Sequence, residues 1–126
     1  MKKVMNWAVV CFVGLTVLAA VPAWADAKEN AARSAQQYLS FSGFSRVGLI
    51  QQLSSDAGDG YDVADATAAV DSLNVDWNAQ AVRSAKQYLS ISGFSCKGLV
   101  QQLSSSAGDG YTASQAAFGA KQAGAC

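Results

Sequence analysis

The sequence predicts an all-α fold: two tandem three-helix, helix-turn-helix-like repeats of about 50 residues behind an N-terminal signal peptide. Three observations predict it. First, the phrase GLIQQLSSDAGDGY at 48–61 returns as GLVQQLSSSAGDGY at 98–111. Arg33–Tyr61 aligns with Arg83–Tyr111 without a gap and with 23 identities in 29 positions, which argues for duplication of one structural unit. Second, apolar residues within each copy recur at helical spacing. Third, Ala and Ser are abundant, the only proline is Pro22, and just 14% of residues are charged, while 51% are hydrophobic. That composition suits helices and argues against disorder.

The first 25 residues read as a secretory signal peptide. Lys2 and Lys3 make a basic start, an apolar run extends from Val4 to Val21, Pro22 breaks it, and Ala23-Trp24-Ala25 supplies the small residues of a cleavage site. Cleavage is predicted after Ala25, which leaves an exported chain, periplasmic or secreted. The alternative is an uncleaved anchor, although the run is at the short edge of the ~17–25 residues that cross a bilayer. Cys11 lies in the middle of the apolar run, where a lipid-attachment cysteine would follow it, so no lipid anchor is expected. The predicted units are 1–25 (signal peptide), 26–75 (first repeat) and 76–126 (second repeat).

The first helix of each repeat is predicted from Ala31, Ala35, Tyr38 and Leu39, matched by Ala81, Ala85, Tyr88 and Leu89. Asp26 with Glu29 has capping-box spacing, and Asp76 occupies the equivalent start. Gly43 and Gly93 are expected to end these helices in a left-handed conformation. Ser45 and Ser95 are predicted N-caps of a short second helix, buried through Leu49, Ile50 and Leu53 and their counterparts Leu99, Val100 and Leu103. Phe44 and Phe94 precede these caps as hydrophobic staples. AGDGY forms a tight turn. A third helix follows, capped by Asp62 or Thr112, the latter with Gln115 at capping-box spacing. Its buried stripe is predicted as Val63, Ala66, Val70 and Leu73 in one repeat. In the other it is Ala113, Ala116, Ala117 and Ala120 with Phe118, which makes a thinner core.

A three-helix unit this small is marginal alone. Trp77, at the junction, stands where the first repeat has Ala27. It is placed either to glue the repeats together or to fill the second core. Cys96 and Cys126 are an even count in an exported chain, which predicts a disulfide. Fifty residues earlier stand Arg46 and Asp76, which predicts an ion pair at the matching place.

Enzyme constellations are missing. The chain has no His, so no Ser-His or Cys-His pair exists, and no phosphate-binding glycine loop follows a strand. Asp56, Asp59, Asp62 and Asp65 lack the alternate spacing and distal Glu of a calcium loop, and no cofactor or metal is expected. They read as an acidic face, the best candidate for meeting a protein partner. Residues 27–76 carry three basic and seven acidic groups (net −4), and residues 77–126 carry four basic and one acidic (net +3). Shared scaffold with opposed charge points to binding. The slightly acidic chain that remains after the signal peptide argues against a nucleic-acid partner.

The pattern AxxYLS, FSxxGLxxQLSS, AGDGY, then D..DA or T..QA, in tandem with a DW at the seam, resembles the Ltp family of host cell surface-exposed lipoproteins. The resemblance covers residues 30–126, and a terminal Cys is similar to the family's. It implies paired helix-turn-helix-like repeats and phage superinfection exclusion, in which a surface protein blocks entry of another phage's DNA and the partner is that phage's tape measure protein. The chain departs from the family in having no cysteine after the signal peptide, so membrane contact is expected only through an uncleaved signal segment. The leading reading is a non-enzymatic extracytoplasmic protein-binding module; the alternative is a structural or adhesion protein of the bacterial cell envelope.

Overall fold

In each repeat a long helix, a short helix and a third helix close around a core of six or seven small or branched apolar residues. The computed structural model describes residues 23–126. The basic start and the apolar run of the predicted signal peptide lie outside the described residues. Six helices and no strand are found among them: α1 (Ala23–Phe41), α2 (Arg46–Ser54), α3 (Val63–Ser72), α4 (Trp77–Ile91), α5 (Cys96–Ser104) and α6 (Ala113–Gln122). The extensive helix packing is within repeats, α1 with α3 and α2, and α4 with α6 and α5.

The caps explain where the short helices begin. Ser45 and Ser95 have extended backbones and accept from the N–H of Gly48 and Gly98 at 2.9 and 3.0 Å. Asp62 caps α3 through Ala64 N, Asp76 caps α4 through Ala79 N, and Thr112 with Gln115 closes a full capping box on α6. At α1 the expectation fails. The helix already runs from Ala23, so Asp26 sits in its first turn instead of capping it. The bond predicted for cleavage, Ala25–Asp26, therefore lies inside α1.

The helix terminators also differ from expectation. Neither Gly43 nor Gly93 is left-handed; the positive-φ glycines are Gly60, Gly110 and Gly124, joined by Asn74. α4 ends instead because Ser92 turns extended (φ −152°, ψ 160°). The AGDGY turn needs its two glycines for different reasons. Gly60 and Gly110 hold φ of 69° and 74°. Gly58 and Gly108 leave room for the carbonyls of Gln52 and Gln102, which a Cβ would meet at 2.1 and 2.2 Å.

Repeat 1 buries Ala31, Ala35, Leu49, Leu53, Ala66, Ala69 and Val70 completely. Repeat 2 buries Ala81, Ala85, Leu99, Leu103, Ala116 and Ala120, with Tyr111 almost covered. The four leucines contribute roughly 1.5–3 kcal/mol each. The predicted third-helix stripes hold at Ala66, Val70, Ala116 and Ala120, which are buried, and at half-buried Leu73, and fail at their edges. Val63 is 61% exposed and Phe118 42% exposed, and Ala113 and Ala117 face water, while Ala69 and Gly119 are buried. The cause is close helix approach. A Cβ on Gly119 would lie 2.6 Å from the Ala81 carbonyl group, so α6 meets α4 backbone to backbone where repeat 1 has Ala69 and Ala31. The thin-sided helix sits nearer its partner.

The sulfurs of Cys96 and Cys126 lie 2.11 Å apart, at bonding distance, across 30 residues. A link of that span contributes about 3–4 kcal/mol on the chain-entropy account. It fastens the tail of repeat 2 to the start of α5. In repeat 1 the chain passes the matching place to enter α4, and the ion pair is not the predicted one. Arg46 pairs with Asp71, Nε to Oδ1 at 2.7 Å and Nη2 to Oδ2 at 2.9 Å. Asp76 is engaged in capping α4, whereas Asp71 on α3 offers both oxygens to the guanidinium. Arg46 holds the Asp71 carboxyl below the usual carboxylate range. Both side chains are at least 43% exposed, so the pair contributes well under about 1 kcal/mol.

Gly119→Ala is expected to cost about 1–3 kcal/mol by overpacking the α4–α6 contact. Urea unfolding of the oxidised protein checks this; an unchanged midpoint would contradict the close approach.

Candidate functional site

The repeats meet through one loop of repeat 1, the end of α1 and Trp77. Ser42–Ser45, between α1 and α2, lies against α4 and the 108–111 turn of repeat 2. The Gln87 Oε1 atom accepts from Ser42 Oγ at 3.1 Å and from Gly43 N at 3.2 Å. Gln80 Oε1 accepts from Phe44 N at 3.3 Å. The Ser45 hydroxyl, while accepting from Gly48 N, donates to the carbonyl of Asp109. Arg83 donates to the carbonyls of Leu39 and Ser40, in the last turn of α1. Gly43 is required here by proximity, since a Cβ would meet Ser84 N at 2.8 Å and the Gln80 carbonyl at 2.9 Å. Trp77, at the start of α4, packs against the apolar core of repeat 1 and so serves the junction.

This loop and the turn below it wall an open groove of about 700 Å³. Gly48, Gln51, Gln52, Ser55, Gly108 and Asp109 complete its lining. Its polar chemistry is that of amides, hydroxyls and backbone groups, and Phe44 adds an apolar wall. The one carboxylate, Asp109, already accepts from the Tyr88 hydroxyl at 2.7 Å, and Gln102 donates to that same hydroxyl at 3.2 Å. Ser45 has both lone pair and proton committed. Hydrogen-bonding capacity for a peptide-like ligand is present, while an acid–base pair is not among the lining residues.

The same triad recurs in repeat 1, where Tyr38 donates to Asp59 at 2.7 Å and accepts from Gln52 at 3.3 Å. Tyr61 and Tyr111 share hydrogen bonds with Ser34 and Ser84 at 3.2 and 2.6 Å. The repeated GDGY is thus a clasp, in which its Asp and Tyr both fasten the turn to the first helix of their own repeat. Tyr38 and Tyr88 also stack edge-on against Phe44 and Phe94, with centroids 5.8 and 5.6 Å apart.

Of the predicted acidic face, Asp56, Asp59 and Asp62 are exposed and Asp65 is half-buried. Asp59 is tied to Tyr38 and Asp62 caps α3, which leaves Asp56 and Asp65 without a hydrogen bond among the described residues. No ion pair among the described residues crosses the seam, where the hydrogen bonds run mostly between side chains and backbone.

The family model described as "Host cell surface-exposed lipoprotein" (Lipoprotein_Ltp) matches residues 26–73 and again 76–122. The chain belongs to this Ltp family. The two matches fall one on each three-helix unit. No curated protein and no solved structure matches the chain. Among the described residues no helix is long and apolar enough to cross a membrane.

Comparison of the Ltp repeats for differences missed the seam, because Ser42–Ser45, Arg83 and Gln87 are identical in both copies. Gln80 was the available signal, since its counterpart is Asn30.

Burial pushes the Asp109 carboxyl above the ordinary carboxylate range, with the Tyr88 hydroxyl pulling the other way. The folded state therefore holds this proton more tightly than the unfolded chain. The linked stability is present below the ordinary carboxylate pKa and is lost as pH rises through the raised value. Asp109→Asn keeps an acceptor for Tyr88 and removes the charge. It is expected to be at least as stable as the parent at neutral pH, with the advantage shrinking in acid. Urea titrations at several pH values check this; a loss above about 1 kcal/mol at neutral pH would show that the carboxylate is favoured there.

Proposed function

We propose that this Ltp-family chain is a non-enzymatic protein-binding module outside the cytoplasm, and that it excludes superinfecting phage by blocking DNA entry. The family match over both repeats carries this reading. The partner it implies is the tape measure protein of the incoming phage, a long chain that presents backbone and side-chain amides. A groove lined by Gln51, Gln52 and Ser55 suits such a segment, and Asp56, next to Ser55, and Asp65 on the same repeat favour a basic one. Nothing in the groove calls for a nucleic acid, and with no His in the chain the usual hydrolytic pairs cannot be assembled. A retained N-terminal segment would hold the module where DNA crosses the membrane.

Expression in a phage-susceptible host tests the reading. Phage adsorption is expected to stay normal while DNA entry falls. Purified protein is expected to retain a tape measure fragment, and joint Asp56→Lys and Asp65→Lys substitution to weaken that binding about tenfold, equivalent to ~1.4 kcal/mol. Normal DNA entry across a broad phage panel, with the protein demonstrably exported, would sink it.

A further inference from the structure

The seam joins two different faces of one repeated unit. Repeat 1 contributes its loop, Ser42–Gly48; repeat 2 contributes the outer face of its first helix and its glycine turn. Such a heterologous contact leaves one of each face unused, because each repeat carries both. The unused loop is Ser92–Gly98 on repeat 2. The unused receiving face is on repeat 1, formed by Arg33, Ser34 and Gln37 with the Asp59–Gly60 turn.

Burial maps the asymmetry. Ser45 is 2% exposed, whereas Ser95 is exposed; Gly43 is half-buried, whereas Gly93 faces open space with nothing within 4 Å of a Cβ. Ser84 is buried and Ser34 half-buried; Gln87 and Asp109 are half-buried, while Gln37 and Asp59 are exposed. Yet the chemistry of the unused faces is retained. Ser92, Gly93, Phe94 and Ser95 repeat the docked loop without change, and Arg33, Ser34, Gln37 and Asp59 repeat the receiving set.

We propose that the Ser92–Gly98 loop of one molecule docks on the Arg33–Gln37 face and Asp59–Gly60 turn of a second copy of this chain, so that copies join head to tail. The contact continues the one already made inside the chain except at the ends, where Cys126 of one copy and Asp26 of the next both correspond to Asp76 and must part for the contact to form. It departs from the internal seam at four side chains, Cys96 for Arg46, Lys97 for Val47, Asn30 for Gln80 and Ala27 for Trp77, the last of which removes the Trp77 packing. Val47, which lies beside Gly110, is replaced by Lys97, which would lie beside Gly60 and next to Asp59 of the second copy. The net charges, +3 on the donating repeat and −4 on the receiving one, act in the same direction. Against this, Asn30 replaces Gln80 and is one methylene too short to reach the loop's second amide. The internal docking is aided by tethering, at an effective concentration on the order of millimolar. The intermolecular one is therefore weak in dilute solution and favoured where copies are concentrated on a surface.

The test is sedimentation velocity of the exported protein over a concentration series. Average mass is expected to rise with concentration and to fall back as salt is raised. Gly93→Ala is the deciding variant. It touches nothing within its own chain, but by the repeat it places a Cβ against Ser34 of the next copy, where the Gly43 position has no room. It is expected to weaken association by about tenfold or more, with unfolding unchanged. Lys97→Glu should weaken it likewise, and Asn30→Gln should strengthen it. A monomer at every concentration, for both parent and Asn30→Gln protein, overturns the proposal. So does association that Gly93→Ala leaves intact, which would place any self-contact on other faces.

Discussion

The hydroxyl of Ser45 ties three segments together. It accepts from Gly48 N to start α2, donates to the Asp109 carbonyl across the seam, and is buried while doing so. Around it the loop surrenders its next amides to Gln80 and Gln87, and Arg83 takes the carbonyls that end α1. Left unpaired, the buried Ser45 hydroxyl would cost about 1–3 kcal/mol and the half-buried groups around it less. The seam thus has little freedom to shift: a displaced loop leaves several donors and acceptors unmatched together. Since helix packing stays within repeats, this loop, with Trp77, couples two units that are each too small to be sturdy.

The fold was largely legible. Helix count, the caps at Ser45, Ser95, Asp62 and Thr112, and the tandem organisation follow from periodicity and from short-range side-chain-to-backbone chemistry. What escaped depends on three-dimensional proximity. Gly43 looked like a left-handed terminator and is a close-approach glycine against Ser84. Of the predicted α6 stripe, Ala116 and Ala120 are buried, but Ala113, Ala117 and Phe118 are exposed and Gly119 is buried in their place, because backbone contact with α4 selects the smallest residue. Arg46 found Asp71, since local capping had already engaged Asp76.

The candidate site was less legible for a physical reason. The acidic face could be named from sequence, but two of its members, Asp59 and Asp62, spend their oxygens on the fold. The groove depends on residues that are identical in both repeats and differ only in what faces them. Identical side chains such as Ser45 and Ser95 have opposite fates, one buried at the seam and one exposed. A duplicated sequence therefore hides its function in context: one set of faces is spent inside the molecule, and the other set is presented outward.

Amide hydrogen exchange on monomeric protein tests the seam most directly, because the repeats supply an internal control. Gly43 and Phe44 donate to Gln87 and Gln80, whereas Gly93 and Phe94 have no such acceptors. Strong protection of the first pair with fast exchange of the second is the predicted result. Equally fast exchange at all four amides would contradict the docked loop, and with it the account of how the repeats are joined.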